Sequence, residues 1–410
     1  MRAEAYGTFP AVSGRAIAGD NEAAAAADLR RRGVLFVEQG GRGGVADYTN
    51  CLANAIAERG IPATIATAND HLYRPGPGVR IATPFAYVRG HSAPARLARR
   101  LHLGPVLNGV RFLCALPRLF RLARGKAIVH TQGWERTSLG LIALLVLRAS
   151  GAAGVYTAHN TFERFSLELD STVIYPPLVR HTIVHTRGDR ERIRHGPVSV
   201  IPHGTYGPLA ERAAPVTAEA ARAALGLPAD ALVVLLFGVL RPDKGLGDLL
   251  DAAVRSPRWR VLIAGKEDGA LAAEEARLAA PELAGRVTVH EGFQEMDAVG
   301  RFFAAADIVA LPYQVASQSG VAQLAYGFGR PVVAYPVGGL TEAVIDGTTG
   351  WLCAAPTPVA LSAALDDAAT AGREECRRRG KAGREWARTE FSWSAIAEAT
   401  ETVYITALSR

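Results

Sequence analysis

The sequence predicts an α/β fold of two doubly wound, Rossmann-like lobes that face a cleft. Three observations carry that expectation. Short apolar runs alternate with helical stretches along most of the chain, as they do in parallel βαβ units. The alternation pauses at 204–217, where Gly, Pro and Thr breakers crowd together, and then restarts. The 410 residues, 49% of them hydrophobic, are long for one domain and comfortable for two. The boundaries read as a loose tail over 1–33, a first lobe over 34–205 and a linker over 206–218. A second lobe follows over 219–390, and a closing helix over 391–410 packs back on the first lobe.

In the first lobe, 33–38 holds the apolar run Val34–Val37 between Gly33 and Glu38 and reads as the opening strand. A glycine cluster at 40–44 follows, and 46–58 then carries apolar residues on one helical face. Further strands are expected at 61–67, 127–131, 154–159, 181–185 and 198–203, each an apolar run stopped by loop residues. The second lobe repeats the pattern at 231–237, 260–264, 286–290, 308–311 and 331–334. The stretch 392–408 reads as one amphipathic helix.

The net charge is +7, from 46 basic and 39 acidic residues. Its distribution is uneven: between Asp70 and Glu135 every charged residue from Arg74 to Lys126 is a cation. Arg96–Lys126 interleaves these cations with Leu, Val and Phe, which suits either helices whose arginines face water or a peripheral contact with the inner face of an anionic membrane. The longest apolar run, 139–147, is about half the ~20 residues that a membrane span needs. The alanines at 23–27 lie between acids and ahead of Arg30–Arg32, unlike a secretory leader. Cys51, Cys114, Cys353 and Cys376 stand far apart with no zinc spacing, so reduced thiols in a cytoplasmic chain are expected. Neither a metal nor a nucleic-acid partner is indicated.

Anion chemistry gathers at two places in the second lobe. Arg241 and Lys244 follow the strand 231–237 directly. Arginine offers a fork to phosphate oxygens and lysine a compact point charge. Ser317-Gln318-Ser319-Gly320 precedes a helix, where such residues either cap it or leave its N–H groups to a phosphate. Both places lie beyond strand ends, where open parallel sheets bind ligands, and a nucleoside diphosphate is the natural occupant. In the first lobe, Gly41–Ala46 formally satisfies G-x-G-x-x-A with Asp70 after the next strand, a dinucleotide-binding arrangement. The same loop equally suits a cleft that a ligand approaches closely. His130, His185 and His203 read as structural hydrogen-bonders at strand ends. His159 is the exception, because Asn160 and Glu163 follow it in an expected cleft loop.

Taken together these segments resemble a retaining glycosyltransferase of the GT-B fold, close to glycosyltransferase family 4. Gly238, Arg241, Lys244 and Gly245 are similar to that family's donor diphosphate clamp. Gly292-Phe293 resembles the loop that holds the base, and Ala306–Tyr313, Gly329–Val333, Gly338–Glu342 and Gly350 resemble the nucleotide-binding core. In the first lobe Gly43 and Gly44 resemble the loop near donor phosphate and acceptor, and His159 the histidine that meets the transferred sugar. Asp47, Asn160 and Glu163 are then expected on the acceptor side. The family's paired glutamates fall on Ala316 and Leu324 here, as in a subgroup without the pair, so Gln318, Ser319 or backbone N–H groups are expected to substitute.

The resemblance implies attack by an acceptor hydroxyl on the face the phosphate leaves, with no cofactor beyond the sugar nucleotide. The acceptor is unnamed, with an anionic or lipid-linked one suited to the basic lobe. A dinucleotide-dependent oxidoreductase, a sugar-nucleotide epimerase on the same fold and a non-catalytic relative are the rival readings.

Overall fold

The computed structural model describes residues 19–88, 100, 103–134, 136–161, 169–211, 213, 215–292, 294 and 296–410. Two parallel sheets organise them. The first has seven strands in the order β3-β2-β1-β4-β5-β6-β7 and the second six in the order β10-β9-β8-β11-β12-β13. The first sheet comprises β1 (Val34–Val37), β2 (Ala63–Ala68), β3 (Val79–Phe85), β4 (Ile128–Thr131), β5 (Ala153–Thr157), β6 (His181–Val184) and β7 (Val198–Val200). The second comprises β8 (Leu232–Phe237), β9 (Trp259–Gly265), β10 (Val287–Glu291), β11 (Ile308–Leu311), β12 (Val332–Ala334) and β13 (Gly350–Leu352). Helices cover both faces of each sheet, so the central strands β1, β8 and β11 are buried nearly throughout. That burial explains why they read as unbroken apolar runs.

Two edge strands escaped the sequence reading. β3 carries Arg80 and is largely half-exposed, and β13 has three residues, so neither shows a long apolar run. His159 lies just beyond β5 rather than within it.

The tail expected over 1–33 needs correction. Residues 1–18 lie outside the described part, but Gly19–Arg32 is a helix with Leu29 in the first lobe's core. Its alanines favour helix, its first-turn acids Asp20 and Glu22 and its last-turn arginines suit the helix dipole, and Arg30 Nη2 lies 2.8 Å from Glu401 Oε1. Part of the expected linker is also ordered, as a short helix over Gly207–Ala210.

The closing helix, Trp393–Leu408, is capped by Ser392 and lies on the first lobe. Tyr404 OH sits 2.7 Å from His130 Nδ1, and Glu401 accepts from Arg59 Nε at 2.6 Å. The chain crosses between the lobes twice, and the crossings are joined. Thr205 N donates to Phe391 O at 2.9 Å, and Trp393 Nε1 donates to Thr205 O at 2.7 Å.

Candidate donor site at the lobe junction

Each sheet reverses its strand order at one point, β1/β4 in the first lobe and β8/β11 in the second. The loops beyond these strands form the candidate site, as the switch-point rule expects.

In the first lobe, Glu38 follows β1 and is buried. Its carboxylate accepts from Gly40 N at 2.6 Å, Gly41 N at 2.7 Å and Tyr73 OH at 2.7 Å. The Gly40 and Gly41 amides of the glycine loop are therefore taken by the protein itself. Arg42 Nε donates to the Asp70 carbonyl at 2.8 Å and lies 3.6 Å from its carboxylate. The loop opens at Gly43, whose φ of 81° favours glycine and whose missing side chain borders open space. The helix Gly44–Glu58 starts there with no side-chain cap among the described residues.

In the second lobe, the turn after β8 folds tightly. Arg241 Nε and Nη2 each donate to an oxygen of Asp243 at 2.7 Å. Burial pushes the Asp243 carboxyl up, but Arg241 and Lys244 more than offset this and hold it below its ordinary value. Lys244 Nζ stands 3.5 Å from the centroid of the Tyr313 ring, a cation–π contact. Gly245 has φ 72°, and any side-chain carbon there would fall 1.9 Å from Pro312 O. This locks the cationic turn against the loop that follows β11, and Gln314 N donates to Asp243 O at 2.9 Å.

That loop leads to the helix Gly320–Gly327. Ser319 Oγ accepts from Ala322 N at 3.2 Å and so caps the helix itself, one of the two roles its sequence allowed. Gln318 lies beside it, half-buried. Ala316 and Leu324, where the glutamate pair would stand, are both buried in the second lobe's core. A carboxylate at either position would need a partner to offset its desolvation.

The two lobes meet at Tyr206. Its hydroxyl donates to Gly44 O at 2.9 Å, and a side-chain carbon on Gly320 would lie 3.1 Å from its Cε2. The same carbon on Gly238 would lie 3.5 Å from Val321 Cγ2. Two helix starts, one from each lobe, thus converge on one tyrosine ring beside the end of β8. Burial and, after it, Asp47 in the first turn of the glycine-loop helix push the Tyr206 hydroxyl well up.

His159 joins this junction through its backbone, since Ser317 Oγ donates to His159 O at 3.2 Å across the cleft. Its ring is held by a chain of partners. His185 Nδ1 lies 2.9 Å from Ile201 O, His185 Nε2 lies 3.2 Å from His159 Nδ1, and His159 Nε2 lies 2.9 Å from Gln132 Oε1. A carbonyl only accepts, so His185 carries its proton on Nδ1. Burial lowers both imidazoles and keeps them neutral. His185 Nε2 is then bare and takes the proton on His159 Nδ1. His159 Nε2 is bare in turn, and Gln132 meets it with its amide N–H₂, the flipped assignment of that side chain. Tyr48 packs its ring 4.7 Å from His159, 5.2 Å from His185 and 5.0 Å from His203.

Of the expected site residues, Gly43, Gly44, Asp47, His159, Gly238, Arg241, Lys244, Gln318, Ser319 and Gly320 lie around this junction. Asn160 follows His159 and is half-buried. Glu163 and Phe293 lie outside the described residues. Glu38, Tyr48, Gln132 and Tyr206 were missed, because none sits in a local motif; His185 is the structural hydrogen-bonder its strand-end place suggested, and Tyr313 closes the segment Ala306–Tyr313.

The comparisons with known proteins agree with this geometry. Residues 217–386 match the family described as "Glycosyl transferases group 1". A D-inositol 3-phosphate glycosyltransferase of Segniliparus rotundus is 28% identical over 408 residues, covering 90% of this chain and 86% of the relative. A protein of the same name from Mycolicibacterium gilvum is 38% identical over 190 residues, covering 45% of this chain and 42% of the relative, so that higher identity spans under half of either protein. Among solved structures, sucrose-phosphate synthase from Thermosynechococcus elongatus superposes with a TM-score of 0.72 at 23% identity, covering 92% of this chain and 99% of its own. Anabaena HepE in complex with UDP and glucose superposes with a TM-score of 0.70 at 18% identity, covering 92% and 100%. By fold, by its second lobe and by relatives aligned along the chain, this protein is a glycosyltransferase of the GT-B fold.

Proposed function

We propose that the chain transfers a sugar from a nucleoside diphosphate sugar to an acceptor hydroxyl with retention of anomeric configuration, in the manner of family 4. The observation that carries the reading is the convergence at Tyr206. The helix starts at Gly44 and Gly320 both meet the Tyr206 ring, and the turn bearing Arg241 and Lys244 follows β8, with Lys244 on the ring of Tyr313. The diphosphate would lie there. As the bond from the anomeric carbon to the phosphate oxygen breaks, its electron pair stays with the phosphate. Lys244, the two helix starts and Arg241, after exchanging an Asp243 contact for phosphate, would stabilise that charge. The acceptor hydroxyl forms the new bond on the face the phosphate leaves, and its proton passes to the departing phosphate oxygen. These groups supply the charge that a metal would otherwise bring, and the sugar nucleotide is the one co-substrate.

His159 Nε2, an acceptor in the neutral histidine chain, would take a hydrogen bond from a sugar hydroxyl in place of Gln132. Gln318, Ser319 and Phe293 would serve the donor, and Asp47, Asn160 and Glu163 the acceptor. The names of the relatives bring a phosphorylated polyol forward as an acceptor class, and the basic first lobe suits an anionic or lipid-linked acceptor met at the inner face of a membrane. A thermal-shift series with UDP, GDP, ADP and TDP sugars tests the reading. One sugar nucleotide should raise the midpoint and, with acceptor, give a product whose anomeric configuration matches the donor's. Stabilisation by NADH alone, or a new epimer formed without acceptor, would count against it.

A further inference from the structure

The helix Gly104–Ala123 has two apolar stripes where one would suffice. Phe112, Ala115, Leu116, Leu119 and Ala123 form the first, and it is buried against the sheet. The second runs through Val106, Val110, Leu113, Pro117 and Phe120, spaced alternately four and three residues apart, so it keeps to one face. It faces outward: Val106 is 65% and Val110 52% exposed. Ile142 and Leu145 extend it onto the neighbouring helix Thr137–Arg148, Leu145 at 50% exposure. Between the helices lies a shallow, open depression lined by Leu113, Leu116, Pro117, Phe120, Arg121 and Val146. An apolar face this long is unusual on a water-facing helix.

The charge beside the stripe identifies what covers it. Arg118, Arg121 and Arg124 are exposed along its flank and end. No acid occurs between Asp70 and Glu135 to balance them. A second copy of the chain docking here would set arginines against arginines. A bilayer with anionic headgroups accepts both features at once, the apolar stripe below the headgroups and the guanidinium groups among them.

The helix is also tied to the acceptor edge of the cleft. Asn108 Oδ1 accepts from Val88 N at 2.9 Å and Arg111 Nη1 donates to Ala86 O at 2.8 Å. Tyr87 OH in turn donates to Gln39 Oε1 at 3.3 Å, directly before the glycine loop.

We propose that the stripe Val106–Phe120, with Ile142, Leu145 and the adjoining arginines, seats the first lobe on an anionic membrane and sets the acceptor edge of the cleft against it, so that the acceptor is drawn from the lipid phase. The acceptor half of this inference rests on the glycosyltransfer reading, while the seating does not. Vesicle flotation tests it, with vesicles of neutral phosphatidylcholine alone and of roughly one third phosphatidylglycerol. The full chain should float with the anionic vesicles and not with the neutral ones. Val110→Glu with Leu113→Glu, and separately Arg118→Glu with Arg121→Glu, should each reduce partitioning at least about tenfold. Both pairs should leave the melting midpoint and the shift given by a sugar nucleotide unchanged without vesicles, since the side chains are exposed and remote from Tyr206.

No flotation, equal flotation on both vesicles, or full flotation of the variants overturns the seating. So does a dimer in light scattering that Val110→Glu with Leu113→Glu dissolves. Flotation without stabilisation by any sugar nucleotide would leave the seating standing and defeat the transfer reading. Stabilisation without flotation would do the reverse.

Discussion

The second lobe meets the cleft with cations and a helix start carried on two short segments, 238–245 and 312–320. The first lobe meets it with a carboxylate and ring nitrogens held by distant residues. Glu38 is fixed by the glycine loop and Tyr73, and His159 by His185, Gln132 and the ring of Tyr48. The second lobe's edge carries its cations in contacts between two neighbouring loops, Arg241 on Asp243 and Lys244 on Tyr313, whereas the first lobe's edge is knitted from several separate elements. Such an edge costs about 1–3 kcal/mol for each buried partner removed, while the cationic edge is worth most when a ligand's charge develops. The difference separates a region where substitution should affect turnover from one where it should affect stability.

The largest expected effect falls on the second lobe. Lys244→Ala should lower turnover roughly 10²-fold, the scale for removing one preorganised contact to developing charge, with little change in unfolding. Steady-state kinetics near wild type would remove the cationic clamp. On the first lobe the order should reverse. Glu38→Gln turns a donor toward the amides that the carboxylate now accepts from, and should cost about 1–3 kcal/mol in urea unfolding. The sugar nucleotide should still stabilise that variant; a selective loss of donor binding would mean that the glycine loop holds the phosphate after all.

These two segments of the second lobe were legible because each does its work within about ten residues. A strand end, a turn glycine, a cation and a capping serine are all local features; Gly245 takes the left-handed turn its type allows, and Ser319 takes the capping role rather than leaving that N–H open. The central strands were legible for the same reason, since burial on both faces leaves continuous apolar runs. In the first lobe only the glycine loop, Asp47 and the loop opening at His159 stood out in the sequence. Tyr48, Gln132, His185 and Tyr206 come from four different elements, and only the sheet order brings them to His159 and Gly44. The G-x-G-x-x-A spelling at Gly41–Ala46 loses one amide to the protein, because Glu38 accepts from Gly41 N as well as from Gly40 N. The helix Gly19–Arg32 differs: its alanines, first-turn acids and last-turn arginines are local signals, while its docking, through Leu29 in the core and Arg30 on Glu401, rests on distant residues.

Acid should sharpen the contrast further. Burial pushes His130 and His203 down to about 3 and lowers His159 and His185 as well. Below pH ~6.5 the unfolded chain binds protons that these rings refuse in the folded state, so stability falls as pH drops from about 6.5 toward 3. The slope is of order 1 kcal/mol per pH unit for each such ring at most. Urea midpoints at pH 7 and pH 5 measure it, and His203→Asn should flatten it; a midpoint higher at pH 5 would contradict the neutral chain. The smallest effect is expected at Asp70→Asn. Its ion pair with Arg42 is half-exposed and worth under about 1 kcal/mol, and sugar-nucleotide binding should not change.

The central claim is that the second lobe grips a diphosphate. Calorimetric titration with each nucleoside diphosphate and its monophosphate, on wild type and Lys244→Ala, tests it most directly. One diphosphate should bind well above its monophosphate, and Lys244→Ala should erase most of that advantage. A monophosphate bound as tightly as the diphosphate, or an advantage that survives Lys244→Ala intact, would contradict the account.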